Sequence, residues 1–226
     1  MNTTAIIVAG GSGTRMGSIL PKQFLLLQGK PVLWYTINSF LSSLQDISIV
    51  LVLPKAHWGE GQELVDTYFS QEGIQLVAGG ESRFESVQNG LKVVSHEGIV
   101  MIHDGVRCLL TTGLIRRCWQ HAIHAGSAIP AVTATDSIRF VSGSENKVMN
   151  RDNIRLIQTP QAFQVPLLKQ AFANASHTQF TDEATVLEAM GIPVFLVEGE
   201  YENIKITRPA DLILADAILQ QRSALE

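Results

Sequence analysis

Gly10-Gly11-Ser12-Gly13-Thr14-Arg15-Met16-Gly17, followed by Pro21-Lys22-Gln23, is the stretch of this chain best suited to chemistry. Glycines let backbone N–H groups close on a polyphosphate, and a turn after a parallel strand is where open α/β sheets take ligands. The spacing excludes two familiar phosphate loops. No Gly-x4-Gly-Lys-Ser/Thr occurs, and Gly11-x-Gly13 has Met16 where a dinucleotide fingerprint needs glycine. What remains is a glycine turn holding Arg15, with Lys22 seven residues further on. Either cation alone would read as solvated surface charge. Placed together around one turn, they suit phosphoryl or nucleotidyl transfer, which depends on positioned positive charge more than on covalent chemistry. A phosphate nucleophile is already anionic and needs little help from a base.

The elements that must position these groups follow from apolar periodicity. Short β-branched runs at Ala5–Ala9, Ile47–Leu53, Ile99–His103, Ala128–Val132 and Val194–Val197 read as buried strands. Helical spacing or helix signals occupy Pro31–Leu44, Gly61–Phe69, Phe84–Val94, Thr112–Ala125, Val165–Asn174 and Thr181–Met190, with a last helix from Pro209 to about Gln221 and Thr207 near its cap. This alternation predicts a Rossmann-like α/β fold, a mostly parallel sheet flanked by helices, as one domain over residues 1–226. Residues 133–158 break the rhythm. Ile138, Phe140, Val141 and Val148 would be left exposed there, so the segment reads as a protruding β-arm for dimerisation.

Composition narrows the function. A net charge of -4 without a basic stripe argues against a nucleic-acid binder, so an anionic ligand has to meet a local basic cluster. The start of the chain shows neither a basic leader nor an apolar stretch that could span a bilayer, and the expectation is a cytoplasmic protein without a membrane partner. Cys108 and Cys118 lack metal or disulfide spacing and read as packing residues. His121 and His124 are three apart on a helix, but no nearby carboxylate or cysteine completes a metal set, so they read as surface residues.

Further motifs lie along the chain: Gly79-Gly80-Glu81-Ser82-Arg83 with Ser86, His103-Asp104-Gly105-Val106-Arg107, Thr159-Pro160-Gln161, Thr181-Asp182-Glu183-Ala184 and Asn203-Ile204-Lys205-Ile206-Thr207-Arg208-Pro209. With the glycine loop, they resemble, in order, the motifs of the sugar-phosphate nucleotidyltransferases and, among these, of the 2-C-methyl-D-erythritol 4-phosphate cytidylyltransferase family. The resemblance implies CMP transfer from CTP to a polyol phosphate, with Arg15, Lys22 and Lys205 catalytic. It implies nucleotide contacts from Ala9, Gly10, Gly11, Gly13, Thr14, Gly79, Gly80, Glu81, Ser86 and Gly105. The acceptor would meet Asp104, Arg107, Ser137, Thr159, Thr181 and, from the neighbouring subunit of a homodimer, Arg151. Mg2+ would ride mainly on the triphosphate, with Asp104 as the one candidate protein ligand. Cys108 stands where the family usually has proline, and Ser137 where threonine is usual.

Plainer roles compete at several positions. Gly79-Gly80 and Asp104-Gly105 are also turn dipeptides, Lys205 would ordinarily point to solvent, and Thr181 can cap the helix that follows it. The alternatives to the cytidylyltransferase reading are a ribitol 5-phosphate cytidylyltransferase, which shares the loop and differs around the acceptor, and a non-catalytic nucleotide-binding regulator. The loop spacing disfavours an oxidoreductase.

Overall fold

The computed structural model describes residues 1–11 and 20–224. In chain order its elements are β1 (Thr3–Val8), β2 (Leu26–Leu27), β3 (Lys30–Pro31), α1 (Val32–Ser43), β4 (Ser48–Leu53), α2 (Trp58–Tyr68), β5 (Gln75–Ala78), α3 (Arg83–Val93), β6 (Ile99–Asp104) and α4 (Thr112–Ala125). There follow β7 (Ser127–Thr133), β8 (Ile138–Ser142), β9 (Glu145–Met149), β10 (Arg155–Ile157), β11 (Gln161–Gln164), α5 (Val165–Ala173), α6 (Glu183–Glu188), β12 (Leu196–Glu198) and α7 (Pro209–Ser223).

Period-two alternation divides the core into two layers. Ala5 and Ile7 of β1, Ile49, Leu51 and Leu53 of β4, and Ile99 and Met101 of β6 face one side, where Leu33, Ile37 and Phe40 of α1 and Leu114 and Ile115 of α4 cover them. Ile6, Val50, Val52, Val100 and Ile102 face the other, under Phe84, Val87 and Leu91 of α3, Leu168 of α5 and Val186 of α6. Each fully buried Ile or Leu here is worth about 1.5–3 kcal/mol of transfer free energy. A third cluster joins Leu27 and Val32 to Ile206 and to Ala215 of α7.

The main sheet has eight strands, in the order β10-β7-β11-β6-β1-β4-β5, with β12 also paired to β7. Strands β6, β1, β4 and β5 are mutually parallel. The antiparallel strand β11 sits between β6 and β7. Chain order runs outward from β1 through β4 to β5 and returns on the opposite side as β6, which creates a switch point between β1 and β6 beyond their carboxyl ends.

Helix starts follow local chemistry. The Ser82 hydroxyl accepts from the Glu85 amide and Glu85 answers in a capping box at α3, while Thr111 accepts from the Leu114 amide at α4. Thr181 does not cap α6. Asp182 does, accepting from the Thr185 amide at 3.0 Å, because a carboxylate one residue closer reaches the first-turn donor. At α7 the Asp211 carboxylate turns back to the Thr207 and Arg208 amides and the Thr207 hydroxyl.

Within the 133–158 segment, β8 and β9 form a separate two-stranded hairpin joined by a turn at Gly143 (φ 57°), and β10 at its end rejoins the main sheet beside β7. Phe140, Val141 and Val148 are 55%, 66% and 70% exposed on it, a density of apolar surface that water does not favour. Cys108 and Cys118 are buried free thiols that burial pushes up to about 12. His121 is half-buried against the Ser127 carbonyl and His124 is exposed. Among the described residues no helix is long and apolar enough to cross a membrane, and no cluster of three metal-binding side chains occurs.

Candidate active site

A cavity of about 320 Å³ opens at the switch point. Its wall comes from the ends of the parallel strands: Val8 to Gly11 after β1, Pro54 after β4, Gly79 to Arg83 after β5, and Asp104 at the end of β6. Lys22, Gln23, Ser86, Val106 and Lys205 complete it. The start of the wall is fixed by the sheet itself, since the Ala9 amide donates to Val52 O and the Gly79 amide to Leu53 O. Gly80 has no room for a side chain, and Gly79 little. A Cβ on Gly80 would stand 2.3 Å from Glu85 Cβ, and one on Gly79 3.1 Å from the Ser86 hydroxyl, which itself accepts from the Gly80 amide.

Two distant segments are laced together at the floor. Lys22, buried, donates from Nζ to Ile206 O at 2.8 Å across 184 residues of sequence. The Ile206 amide donates to Val106 O, and the Arg107 guanidinium to Asn203 O at 2.7 Å. This lacing brings Lys205 Nζ to 2.9 Å from Asp104 Oδ2, with Arg107 Nε 3.5 Å from the same oxygen. Arg83 Nε lies 3.4 Å from Asp104 Oδ1, and its two terminal nitrogens both donate to Glu183.

Burial alone would raise the Asp104 carboxyl, but Arg83, Lys205 and Arg107 outweigh it and hold the group well below the usual carboxylate range. Burial likewise works against the Arg83 charge, and the facing Glu183 and Asp104 carboxylates override it, keeping the guanidinium cationic. Lys22, Arg83, Arg107 and Lys205 outnumber Glu81, Asp104 and Glu183 here, which makes this the local basic cluster that an acidic chain needs for an anionic ligand.

Not every residue expected at the site faces the cavity. Ala9, Gly10, Gly11, Lys22, Gly79, Gly80, Glu81, Ser86, Asp104 and Lys205 do. Gly105 is packed behind it, where a Cβ would come within 3.0 Å of Ala9 and Leu33. Thr159 is also behind it, its hydroxyl accepting from the Asp104 amide at 3.1 Å and contacting His103 Nδ1 at 3.0 Å. Arg107 is half-buried in the lacing. Ser137 and Thr181 are exposed away from the wall, as is Arg151, which donates to Thr135 O beside the hairpin. Gly13, Thr14 and Arg15 lie outside the described residues.

Sequence reasoning passed over Gln23, Pro54, Ser82 and Arg83 in the wall and Glu183 behind it. Arg83 and Glu183 stood inside quoted motifs, but their pairing is set by the tertiary fold and leaves no spacing signal. A larger cavity, about 700 Å³, lies beside Arg155, Tyr201 and Arg222 on the far edge of the sheet. Its lining holds Glu198, Glu200 and Glu202 and no lysine, whereas the smaller cavity is lined by Lys22 and Lys205.

A glycine-walled, cation-rich cavity at the switch point of a mostly parallel α/β sheet defines a protein of the nucleotidyltransferase class. The sequence profile of the 2-C-methyl-D-erythritol 4-phosphate cytidylyltransferase (IspD) family matches residues 3–221, and the chain belongs to that family. Its similarity to the enzyme of that name from Bacteroides thetaiotaomicron is 47% identity over 220 residues, 97% of this chain and all of the relative. The Bacteroides fragilis enzyme of the same name is 45% identical over 219 residues, again 97% of this chain and all of the relative. Among solved structures, 4-diphosphocytidyl-2C-methyl-D-erythritol synthase from Anaerococcus prevotii superimposes with a TM-score of 0.84 at 30% identity, covering 97% of this chain and 98% of that one. The 2-C-methyl-D-erythritol 4-phosphate cytidylyltransferase of Thermus thermophilus gives 0.80 at 31% identity, covering 97% and 100%.

Proposed function

We propose that this chain transfers CMP from CTP to 2-C-methyl-D-erythritol 4-phosphate, giving 4-diphosphocytidyl-2-C-methyl-D-erythritol and pyrophosphate. The observation that carries the assignment is the meeting of Lys22 and Lys205 with the Gly79–Gly80 wall around one cavity. The backbone of Ala9 to Gly11 and of Gly79 to Glu81, with Ser86, forms the nucleotide's bed. There, fixed amides select a base by its hydrogen-bonding edge. Lys22 and Lys205, joined by Arg15 of the same loop, stabilise charge on the triphosphate as the acceptor phosphate attacks the α-phosphorus in line and pyrophosphate departs.

Asp104, held ionised, aligns Lys205 and faces the acceptor's hydroxyls, with Arg107 locking the loop behind it. Thr159 supports the Asp104 amide from behind. Ser137, Thr181 and Arg151 belong to the acceptor end of the site. The exposed apolar hairpin completes that end by dimerisation, Arg151 of one subunit gripping the acceptor phosphate in the other.

The side chains present suit a hard divalent cation that keeps most of its ligands from the triphosphate and water. Among the described residues two carboxylates line the cavity, Glu81 and Asp104, and the oxygens of Asp104 are already shared with three cations. Mg2+ is the ion we assign, and Asp104 is the residue that would help to hold it. When bound it supplies neutralisation of phosphate charge. The reaction is placed in the cytoplasm, without nucleic-acid or membrane partners.

The test is pyrophosphate release from purified protein with Mg2+, each nucleoside triphosphate in turn, and methylerythritol or ribitol phosphate as acceptor. CTP with methylerythritol phosphate should be fastest by orders of magnitude. Preference for ribitol phosphate would overturn the acceptor, and nucleotide binding without release under any pairing would overturn the transfer.

A further inference from the structure

Glu183 is a carboxylate with 1% of its surface exposed, and the reaction described above does not use it. Burying such a group is costly, and it is held in place with unusual thoroughness. Gln161, on the strand next to β6, accepts from the Glu183 and Ala184 amides at 3.1 and 3.0 Å and donates to Asp182 at 3.0 Å, clamping the first turn of α6. The carboxylate grips both terminal nitrogens of Arg83 across 100 residues of sequence. Phe84, the next residue, stacks on Phe172 with ring centroids 4.5 Å apart, which fixes the start of α3 from the apolar side.

Arg83 reaches the nucleotide cavity with its side chain 24% exposed. A guanidinium has five N–H donors. Glu183 takes one from each terminal nitrogen and Nε faces Asp104 at 3.4 Å, which leaves two donors on the terminal nitrogens for another acceptor. Without Glu183 the fork would turn onto Asp104, since an arginine and a carboxylate prefer two parallel bonds. It would then displace Lys205 from its 2.9 Å contact. Glu183 thus keeps Arg83 facing the cavity and keeps Asp104 available to Lys205.

Resting on the cytidylyltransferase reading, we propose that Arg83 contacts an oxygen of the bound nucleotide and that Glu183 is the positioning residue acting through it. The test compares wild type, Glu183→Gln, Arg83→Gln and the double variant. Readouts are CTP affinity by calorimetry, which needs no turnover, and separate KM values for CTP and acceptor. Glu183→Gln should weaken CTP about 10-fold or more, the scale on which misplaced contacts act, with a smaller rise in the acceptor KM, because Asp104 is disturbed only through Arg83. The double variant should match Arg83→Gln, because a residue acting through Arg83 has nothing left to position. Losses that multiply in the double variant, or equal losses for both substrates, would overturn the inference. Should Glu183→Gln fail to fold, the double variant removes both charges together, and its comparison with Arg83→Gln decides alone. A wild type that binds CTP but releases no pyrophosphate would end the activity reading, while the CTP affinities would still decide the role of Glu183.

Discussion

Lowering the pH from 7 toward 4 should strip stability from this protein through His103. The ring is fully buried, edge-on to Phe40, with Nδ1 3.0 Å from the Thr159 hydroxyl and Nε2 3.2 Å from Arg107 O. The Thr159 oxygen accepts the Asp104 amide, so its own proton is free to donate to Nδ1, and Nε2–H donates to the Arg107 carbonyl. The geometry therefore selects the neutral Nε2–H tautomer. Burial, only partly offset by Asp104, pulls its pKa from the usual 6.5 to about 4. The unfolded chain takes up this proton below 6.5 while the folded chain refuses it until about 4. The contribution is complete above the unfolded value and is lost as pH falls through that window. At about 1.4 kcal/mol per pH unit it amounts to roughly 3 kcal/mol. Urea unfolding of wild type and His103→Gln between pH 4 and 8 isolates it, since Asp104 and Glu183 titrate in both proteins. The stability difference should shrink by roughly that amount between pH 6.5 and 4. A difference independent of pH, or nitrogen shifts showing an Nδ1–H tautomer, would refute the reasoning.

Other perturbations probe the site and the packing beneath it. Lys22→Ala removes both a phosphate-facing cation and the bond to Ile206 O, and kcat should fall about 10²- to 10³-fold in a steady-state pyrophosphate assay, with far-UV dichroism unchanged. Gly90→Ala places a Cβ 2.8 Å from Ile6 Cγ2 and 3.2 Å from Val52 Cγ2, where α3 crosses the sheet; urea denaturation should show a loss of about 1–3 kcal/mol. Arg151→Ala should raise the acceptor KM about 10- to 100-fold, the worth of a charged hydrogen bond, and leave the KM for CTP unchanged. Mixed dimers with a Lys22→Ala subunit should then recover activity at one site in which the two intact contributions meet.

The strands that hold the core were legible because their burial on both faces leaves unbroken apolar runs, as at Ile49–Leu53 and Ile99–Ile102. Strand β5 was not, since Gln75–Ala78 is a short edge with one polar residue in four, nor was β11, whose buried Gln161 and half-buried Gln164 disguise it as a loop. The hairpin was anticipated from apolar residues that a single chain could not cover. Motifs at the strand ends and in the Lys205 segment marked ten of the sixteen residues that line the cavity. How they are aimed depends on tertiary lacing. Whether Lys205 points to solvent or to Asp104 is decided by the Ile206–Val106 and Lys22–Ile206 bonds, and no local pattern encodes those. Arg83 and Glu183 carry no local signal for the same reason, and the sequence does not distinguish the buried Thr159 hydroxyl from an exposed one.

A crystal structure of the protein with CTP and Mg2+ tests the central claim most directly. The account places the base against Gly79–Gly80 and the triphosphate within hydrogen-bonding reach of both Lys22 Nζ and Lys205 Nζ, in the cavity between β1 and β6. Nucleotide density in the larger cavity beside Arg155 and Arg222, with the two lysines still bonded to Ile206 O and Asp104, would contradict it.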